Sequence, residues 1–389
     1  MNNKYDFIIF GASGFTGKLV VEYVLKTYGF NSGINWAIAG RNKQKLLSIK
    51  ADLDAPNDLE IFIVDSNDKI SIDAMINKTK CILTTVGPYQ LYGSNIVEAC
   101  VSAGVDYVDL CGEPGWMYEM IANHEEAAIK SGSRIIFSCG FDSIPFDLGV
   151  HFIQKETKKV YGKAASSVRG RVMVMDGEFS GGTAASLKAT MKSLKHKPEL
   201  FEVLANPLSL SKIKDVTLQP QDSKPFYDEK LQSWVAPFFM APINTKNIHR
   251  SNSLLNFPYG KDFKYNEMWV SGPGDEGEKL SKLIASTNPL MGDNIPKPGE
   301  GPSKESREKG SYDIHFYADI NDEFLSASVS GDMDPGYGST SKMIAESAIC
   351  IVKECNELVG GIYTPSSSMG DKLIARLEKN AGLKFKLLN

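Results

Sequence analysis

Residues 6–26 read DFIIFGASGFTGKLVVEYVLK: a short apolar run, a glycine-rich turn, and a stretch in which Leu19, Val20, Tyr23 and Val24 recur at helical spacing. A strand that passes through GxxGxxG directly into a helix is built to hold a phosphate-bearing ligand. Gly11 makes the tight turn, Gly14 lets backbone N–H groups approach an anion, and Gly17 lets the helix pack on the strand. The start of the helix then faces the anion with about half a unit of positive charge. A mononucleotide P-loop is excluded, because Gly17-Lys18 is followed by Leu19 where Ser or Thr is needed. Gly11, Ser13, Gly14, Phe15, Thr16 and Gly17 are therefore assigned to the pyrophosphate of a dinucleotide.

Outward from this loop, apolar runs recur at 36–39, 61–64, 81–84, 105–108 and 134–137, separated by helix-length amphipathic stretches. Runs that stay apolar through consecutive positions fit strands covered on both faces by crossover helices. Six of them predict an α/β fold that begins with a Rossmann-type, doubly wound parallel sheet over 1–150. The tip of the second run is Ala39-Gly40-Arg41-Asn42. An NAD-binding domain places a carboxylate there for the ribose hydroxyls, whereas Arg41 presents a cation that suits a 2′-phosphate, so NADP is the expected cofactor. Ligands of open α/β sheets lie beyond the carboxyl ends of the strands. This puts Asp65 near the adenine, and Gly87-Pro88, with Tyr89 projecting from the turn, near the nicotinamide.

After residue 150 the pattern changes to alternation, as in Ile314/Phe316/Ala318/Ile320 and Leu325/Ala327/Val329. Alternation marks half-buried antiparallel strands, so 151–335 reads as an α+β substrate domain with a mainly antiparallel sheet. Asn321-Asp322 is expected to close a hairpin. The stretch 296–310, PKPGEGPSKESREKG, has no large apolar residue and reads as a solvated loop that buries nothing. In 336–389, Ile344, Ala348, Ile351, Cys355 and Leu358 mark one face of a helix ended by Gly360-Gly361; a shorter helix around 369–379 and a terminal strand at 383–387 follow.

Composition narrows the partners. The chain has 389 residues, 42% of them hydrophobic and 23% charged, which excludes global disorder. With 43 basic against 47 acidic residues it carries a formal charge of −4 and no bulk electrostatic footprint for nucleic acid. Cysteines 81, 100, 111, 139, 350 and 355 form no CxxC pair and read as reduced, buried thiols. The start MNNKYDFIIFG has no signal-type apolar core, and no run reaches the roughly 18 apolar residues of a membrane span. A cytoplasmic protein is expected. Peripheral membrane contact and a homodimer stay open.

The motifs GASGFTG (11–17), AGRN (39–42), TTVGPY (84–89), YVDLCGE (107–113), CGFDSIPFDLG (139–149), SGGTAAS (180–186), WVAPFFMAPIN (234–244), DPGYGSTSKMIAES (334–347) and GGIYTPSSSMGDKLIARL (360–377) resemble the saccharopine dehydrogenase-like oxidoreductases, and within them the trans-acting enoyl reductase group. The resemblance spans nearly the whole chain. It implies an NADP-binding Rossmann domain, an inserted α+β domain and a C-terminal segment that packs back on the first. It also implies reduction, in trans, of a carbon–carbon double bond in an acyl intermediate presented by a polyketide synthase during complex lipid (glycolipid) biosynthesis.

Reduction of an enoyl thioester leaves an enolate that needs a hydrogen-bond donor and an acid. Tyr89 and Tyr337 are the candidate hydroxyl donors. Asp142, with Ser143 beside it, leaves the last Rossmann strand where it can face a substrate, although Ser143 also reads as a helix cap. Gly181-Gly182-Thr183 opens a helix and reads either as a carboxylate or thioester site or as simple capping. The histidines (124, 151, 196, 249 and 315) fall in none of these motifs, so no metal is expected. The apolar run 234–243, with two prolines, suits an acyl-lined wall or a membrane contact better than a regular strand, although ordinary burial is the favoured single explanation. Two other functions compete. A saccharopine-type amino-acid dehydrogenase would need an arginine cluster for its carboxylates, and only Arg169, Arg171 and Arg250 lie between 150 and 300. A non-catalytic NADP-binding scaffold would keep the glycine loop without turnover.

Overall fold

The computed structural model describes residues 4–30, 33–178, 181–212, 218–287, 299–321 and 323–388. Ser180, Asp322 and residues 296–298, which enter the expectations above, lie outside them. The strands are β1 (Tyr5–Phe10), β2 (Trp36–Gly40), β3 (Ile61–Ile63), β4 (Thr79–Thr84), β5 (Asp106–Val108), β6 (Arg134–Ile136), β7 (Ser167–Asp176), β8 (Phe226–Asp228), β9 (Ser233–Pro237), β10 (Lys264–Gly272), β11 (Ser311–Ile320), β12 (Glu323–Gly331), β13 (Gly361–Tyr363) and β14 (Lys384–Leu387). They form two sheets, ordered β13-β6-β5-β4-β1-β2-β3 and β14-β12-β11-β7-β10-β9-β8.

The first sheet is parallel throughout. Its 3-2-1-4-5-6 order is the doubly wound arrangement, with the reversal of order between β1 and β4. Alternate residues of β1 serve the two covering layers: Phe7 and Ile9 join one core, Ile8 and Phe10 the other. The second sheet is antiparallel except where β7 runs parallel to β10. β11 and β12 form the expected hairpin, and Asn321 takes φ 53° at its turn. A single core continues from the first sheet through Phe146, Ile344 and Ile351 to Val172, Ile314 and Phe316 of the second.

Two expectations for the C-terminal segment are corrected. Besides the expected terminal strand, β14 beside β12, it adds β13 beside β6, which the helical reading of 336–389 did not include. Its main helix, Thr340–Glu354, ends earlier than periodicity suggested and is buried on nearly every side. Cys355 caps that end by accepting from Arg134 Nη1 at 2.5 Å. The run 234–243 is buried, as its favoured reading had it, but part of it is a regular strand after all: it splits into β9 and the start of the helix Ala241–Leu254, with Phe238, Met240 and Ile243 in the core. Pro242 is tolerated in that helix's first turn, where no N–H partner is lost.

Helix Thr340–Glu354 is locked to the first domain through Glu346, which is completely buried. Its carboxylate accepts from Tyr23 Oη (2.7 Å), Tyr28 Oη, Arg376 Nε (2.8 Å) and Asn380 Nδ2 (3.2 Å). Helix Phe15–Tyr28, just after the glycine loop, is thus tied to the last helices of the chain.

Candidate cofactor and active site

The glycine loop has the geometry that its sequence requires. Gly11 adopts φ +92°, and a Cβ on Gly17 would lie 2.1 Å from Gly11 O. No such contact explains Gly14, which is exposed and whose added Cβ would meet only Gly11 O at 3.3 Å. The open side of the loop is where a pyrophosphate fits. No side chain caps the helix that starts at Phe15, and no acidic residue lies in its first turn, so its leading N–H groups are left for an external anion. A Gly17→Ala variant should lose about 1–3 kcal/mol of stability and most cofactor binding, since neither backbone can yield. Chemical denaturation and NADPH titration measure the two losses.

The adjoining strand tips converge on the loop. Thr85 Oγ1 donates to Gly11 O at 3.3 Å. Arg41 is exposed beyond β2 and makes no hydrogen bond or ion pair among the described residues, which leaves its guanidinium for a phosphate. It stands on the Ser13 flank of the loop, where a Cβ on Gly40 would be 3.4 Å from Ser13 Oγ. Asp65 is exposed beyond β3 and accepts from Asn67 N at 2.9 Å, forming an Asx turn. Gly87-Pro88 leads into the turn at Tyr89–Tyr92, beside Ser186 of the helix Gly181–His196. Glu113 fixes this turn: its carboxylate accepts from Tyr89 N (2.9 Å), Gln90 N (3.0 Å), Gln90 Nε2 (3.0 Å) and Ser186 Oγ (2.9 Å).

Tyr89 does not point into the crevice as the sequence suggested. The residue is buried, its hydroxyl donates to Thr84 O (3.3 Å) and accepts from Leu110 N (3.0 Å), and its ring lies against Trp116. The hydroxyl therefore braces two strand tips. Tyr337 belongs to the tight turn Pro335–Ser339, whose Asp334 carboxylate accepts from Tyr337 N and Gly338 N at 2.9 and 2.7 Å. Its buried ring meets Phe15 edge-on, with centroids 5.2 Å apart, so this distant turn reaches the glycine loop. Thr340 completes the junction by accepting from Phe141 N at 2.9 Å.

Asp142 follows Phe141, whose N–H is held by Thr340, and its carboxyl lies against Gly112 at the tip of β5. It is partly exposed, accepts no hydrogen bond among the described residues, and lies so close to Gly112 that a Cβ there would be 2.9 Å from Oδ2. Desolvation by the surrounding protein pushes it up to about 7. Ser143, next in the chain, is not a side-chain cap: it takes φ 134° with its hydroxyl donating to Asn244 Oδ1 (3.0 Å) and accepting from Asn247 Nδ2 (2.7 Å). Behind Asn244, Glu267 accepts from Asn244 Nδ2 (2.8 Å) and Tyr265 Oη (2.7 Å), and burial raises it to about 8. Asp142 thus precedes a backbone corner at Ser143 that is braced by Asn244 and Asn247 and takes a φ an L residue holds only when its surroundings enforce it.

The polar stretch at 299–310 does not stay clear of the protein. Pro302 and Gly310 are buried, and a Cβ on Gly301 would be 2.5 Å from the Phe15 ring. Sequence reading also gave no role to Glu113, Ser186, Asn244 or Glu267. Among the described residues, no three His, Cys, Asp or Glu side chains converge as metal ligands would.

A doubly wound sheet, a capless glycine loop and a free cation at the second strand tip define an NADP-dependent oxidoreductase. Residues 7–136 match the saccharopine dehydrogenase NADP-binding domain. The chain belongs to the saccharopine dehydrogenase-like oxidoreductase family, in the trans-acting enoyl reductase group. It is 33% identical over 403 aligned residues to a protein of Mycobacterium tuberculosis named as a trans-acting enoyl reductase, covering 96% of this chain and 95% of the relative. A trans-acting enoyl reductase of Mycobacterium ulcerans is 30% identical, with 96% of each chain covered. Among solved structures, saccharopine dehydrogenase (L-Glu forming) from Saccharomyces cerevisiae shares the fold at TM-score 0.53 and 12% identity, covering 98% of this chain and 99% of the other. Homospermidine synthase from Legionella pneumophila does so at TM-score 0.54 and 11% identity, covering 98% and 91%.

Proposed function

We propose that the protein reduces the carbon–carbon double bond of an enoyl thioester, carried by a polyketide synthase on which it acts in trans, in the assembly of a complex lipid. The observation that carries the reading is Asp142, a carboxyl against Gly112 at the β5 and β6 tips that accepts no hydrogen bond among the described residues and that desolvation pushes up to about 7. Bound NADPH supplies the hydride for the β-carbon. The chain's own residues do the rest: once hydride at the β-carbon has pushed the double-bond pair onto the thioester oxygen as an enolate, Asp142 gives its proton to the α-carbon as that pair returns and the carbonyl re-forms, and Ser143, Asn244 and Glu267 hold the backbone that carries Asp142 in place.

The pairing of the arginines between residues 150 and 300 also supports an acyl substrate over one with several carboxylates. Arg169 is paired to Asp319 and Asp228, Arg171 to Asp228, and Arg250 to Glu125 and two backbone carbonyls. None is left as an open carboxylate receptor. The relatives named as trans-acting enoyl reductases support the synthase as partner. Cytoplasmic placement fits six free, buried cysteines, including Cys350 and Cys355, whose sulfurs lie 4.0 Å apart without a bond. No helix among the described residues is long and apolar enough to cross a membrane.

NADPH oxidation should follow addition of trans-2-enoyl thioesters and not of an amino acid with an oxo acid. Binding of NADPH without turnover on enoyl, keto or imine substrates would favour the scaffold instead. In the same assay, Arg41→Ala should weaken NADPH about 10- to 100-fold, equivalent to about 1.5–3 kcal/mol, and leave NADH unchanged. An unaltered preference in paired titrations removes Arg41 from the 2′-phosphate site.

A further inference from the structure

We propose that Arg307, from the second domain, binds the pyrophosphate of the cofactor opposite the glycine loop, so that the cofactor site is closed by both domains. The inference rests on the NADP assignment and extends it to a residue 290 positions beyond the end of the loop in sequence. The guanidinium lies over the ring of Phe15, 5.5 Å from its centroid, while Tyr337 packs edge-on against the same ring. Phe15 is the residue whose backbone opens the anion-facing helix. Gly301 has no side chain where a Cβ would strike that ring, which brings the 299–310 segment down onto the loop.

Arg307 is held ready for a ligand. Its carbonyl accepts from Asp334 N at 2.9 Å, its N–H donates to Ser303 O at 3.0 Å, and its Nη1 donates to Pro302 O at 2.6 Å. Ser306, beside it, donates to Glu178 at 2.9 Å. Nε and Nη2 have no acceptor among the described residues, and no carboxylate there forms an ion pair with the guanidinium. Asp334, which senses its charge, turns its carboxylate onto Tyr337 N and Gly338 N. A guanidinium with open donors is therefore packed on the side chain of the first residue of a helix whose start also carries partial positive charge and has no acidic residue in its first turn. Two like potentials held together by packing are stabilised when an anion enters between them.

The assignment separates this residue from Arg41, which stands on the Ser13 flank. A pyrophosphate contact serves NADPH and NADH alike. Arg307→Gln should raise both dissociation constants by the same factor, roughly 10-fold at low salt, leave the NADPH:NADH preference intact, and shrink in effect as salt is raised. Wild-type binding of NADPH, measured in the same calorimetric series, reads the cofactor assignment itself. Unchanged constants, a loss confined to NADPH, or an equal loss that does not respond to salt would each overturn the proposal. Should the Gln variant misfold, Arg307→Lys carries the test by the same readouts: a smaller, equal and salt-sensitive loss supports it, and any of the other three patterns rejects it.

Discussion

Asp142→Asn should lower kcat on an enoyl thioester by roughly 10²- to 10⁴-fold while leaving the NADPH dissociation constant within about twofold. The amide occupies the same space against Gly112 but has no acidic proton to give. The pH dependence is the sharper test. A group raised to about 7 acts as an acid only while protonated, so kcat of the wild type should be level below pH 7 and fall tenfold per unit above it. The variant's residual rate should show no break there. A fast Asn variant, or a wild-type profile flat from pH 6 to about 9, would move the proton source elsewhere, with the Tyr337 turn next in line. Asn244→Ala is a softer version of the same experiment. It frees Ser143 and strips Glu267 of one partner, so it should lower kcat more than it changes KM.

The second large effect is on stability. Glu346→Ala should cost about 3–5 kcal/mol, because it removes the one carboxylate that Tyr23, Tyr28, Arg376 and Asn380 share and leaves the Arg376 cation facing a void. Glu346→Gln keeps the shape and should cost less. The loss is read as a lower denaturation midpoint. Because Tyr23 and Tyr28 lie on the helix that the glycine loop starts, saturating NADPH should recover part of it. A midpoint unaffected by Glu346→Ala would mean that apolar packing of the 340–354 helix alone holds the last segment in place.

Local chemistry explains what could be read from the chain alone. The glycine loop, the parallel strands and the Asn321 hairpin are legible because each depends on neighbours in sequence: a positive φ, a run of apolar residues, a turn. β13 was missed because a three-residue strand that begins on the second of two glycines gives no periodicity. The helix Ala241–Leu254 was missed for the opposite reason. Asn244, Lys246, Asn247, His249, Arg250 and Asn252 look like a solvated face, yet all are buried, most with partners from other elements. A polar residue announces its burial only through its partner, and Ser143 lies 101 positions from Asn244. Tyr89 shows the same limit: its place at a strand tip was readable, but its bonds to Thr84 and Leu110 turn the hydroxyl away from the crevice. The 299–310 stretch, polar throughout, becomes part of the site only because Gly301 and Arg307 meet a phenylalanine from the other end of the chain.

Because β13 and β14 flank β6 and β12, neither sheet has its final margin until residues 361–363 and 384–387 have been made, long after β6 and β12 themselves. Until then a nascent chain displays two raw borders of unpaired amides, each able to recruit a stray strand.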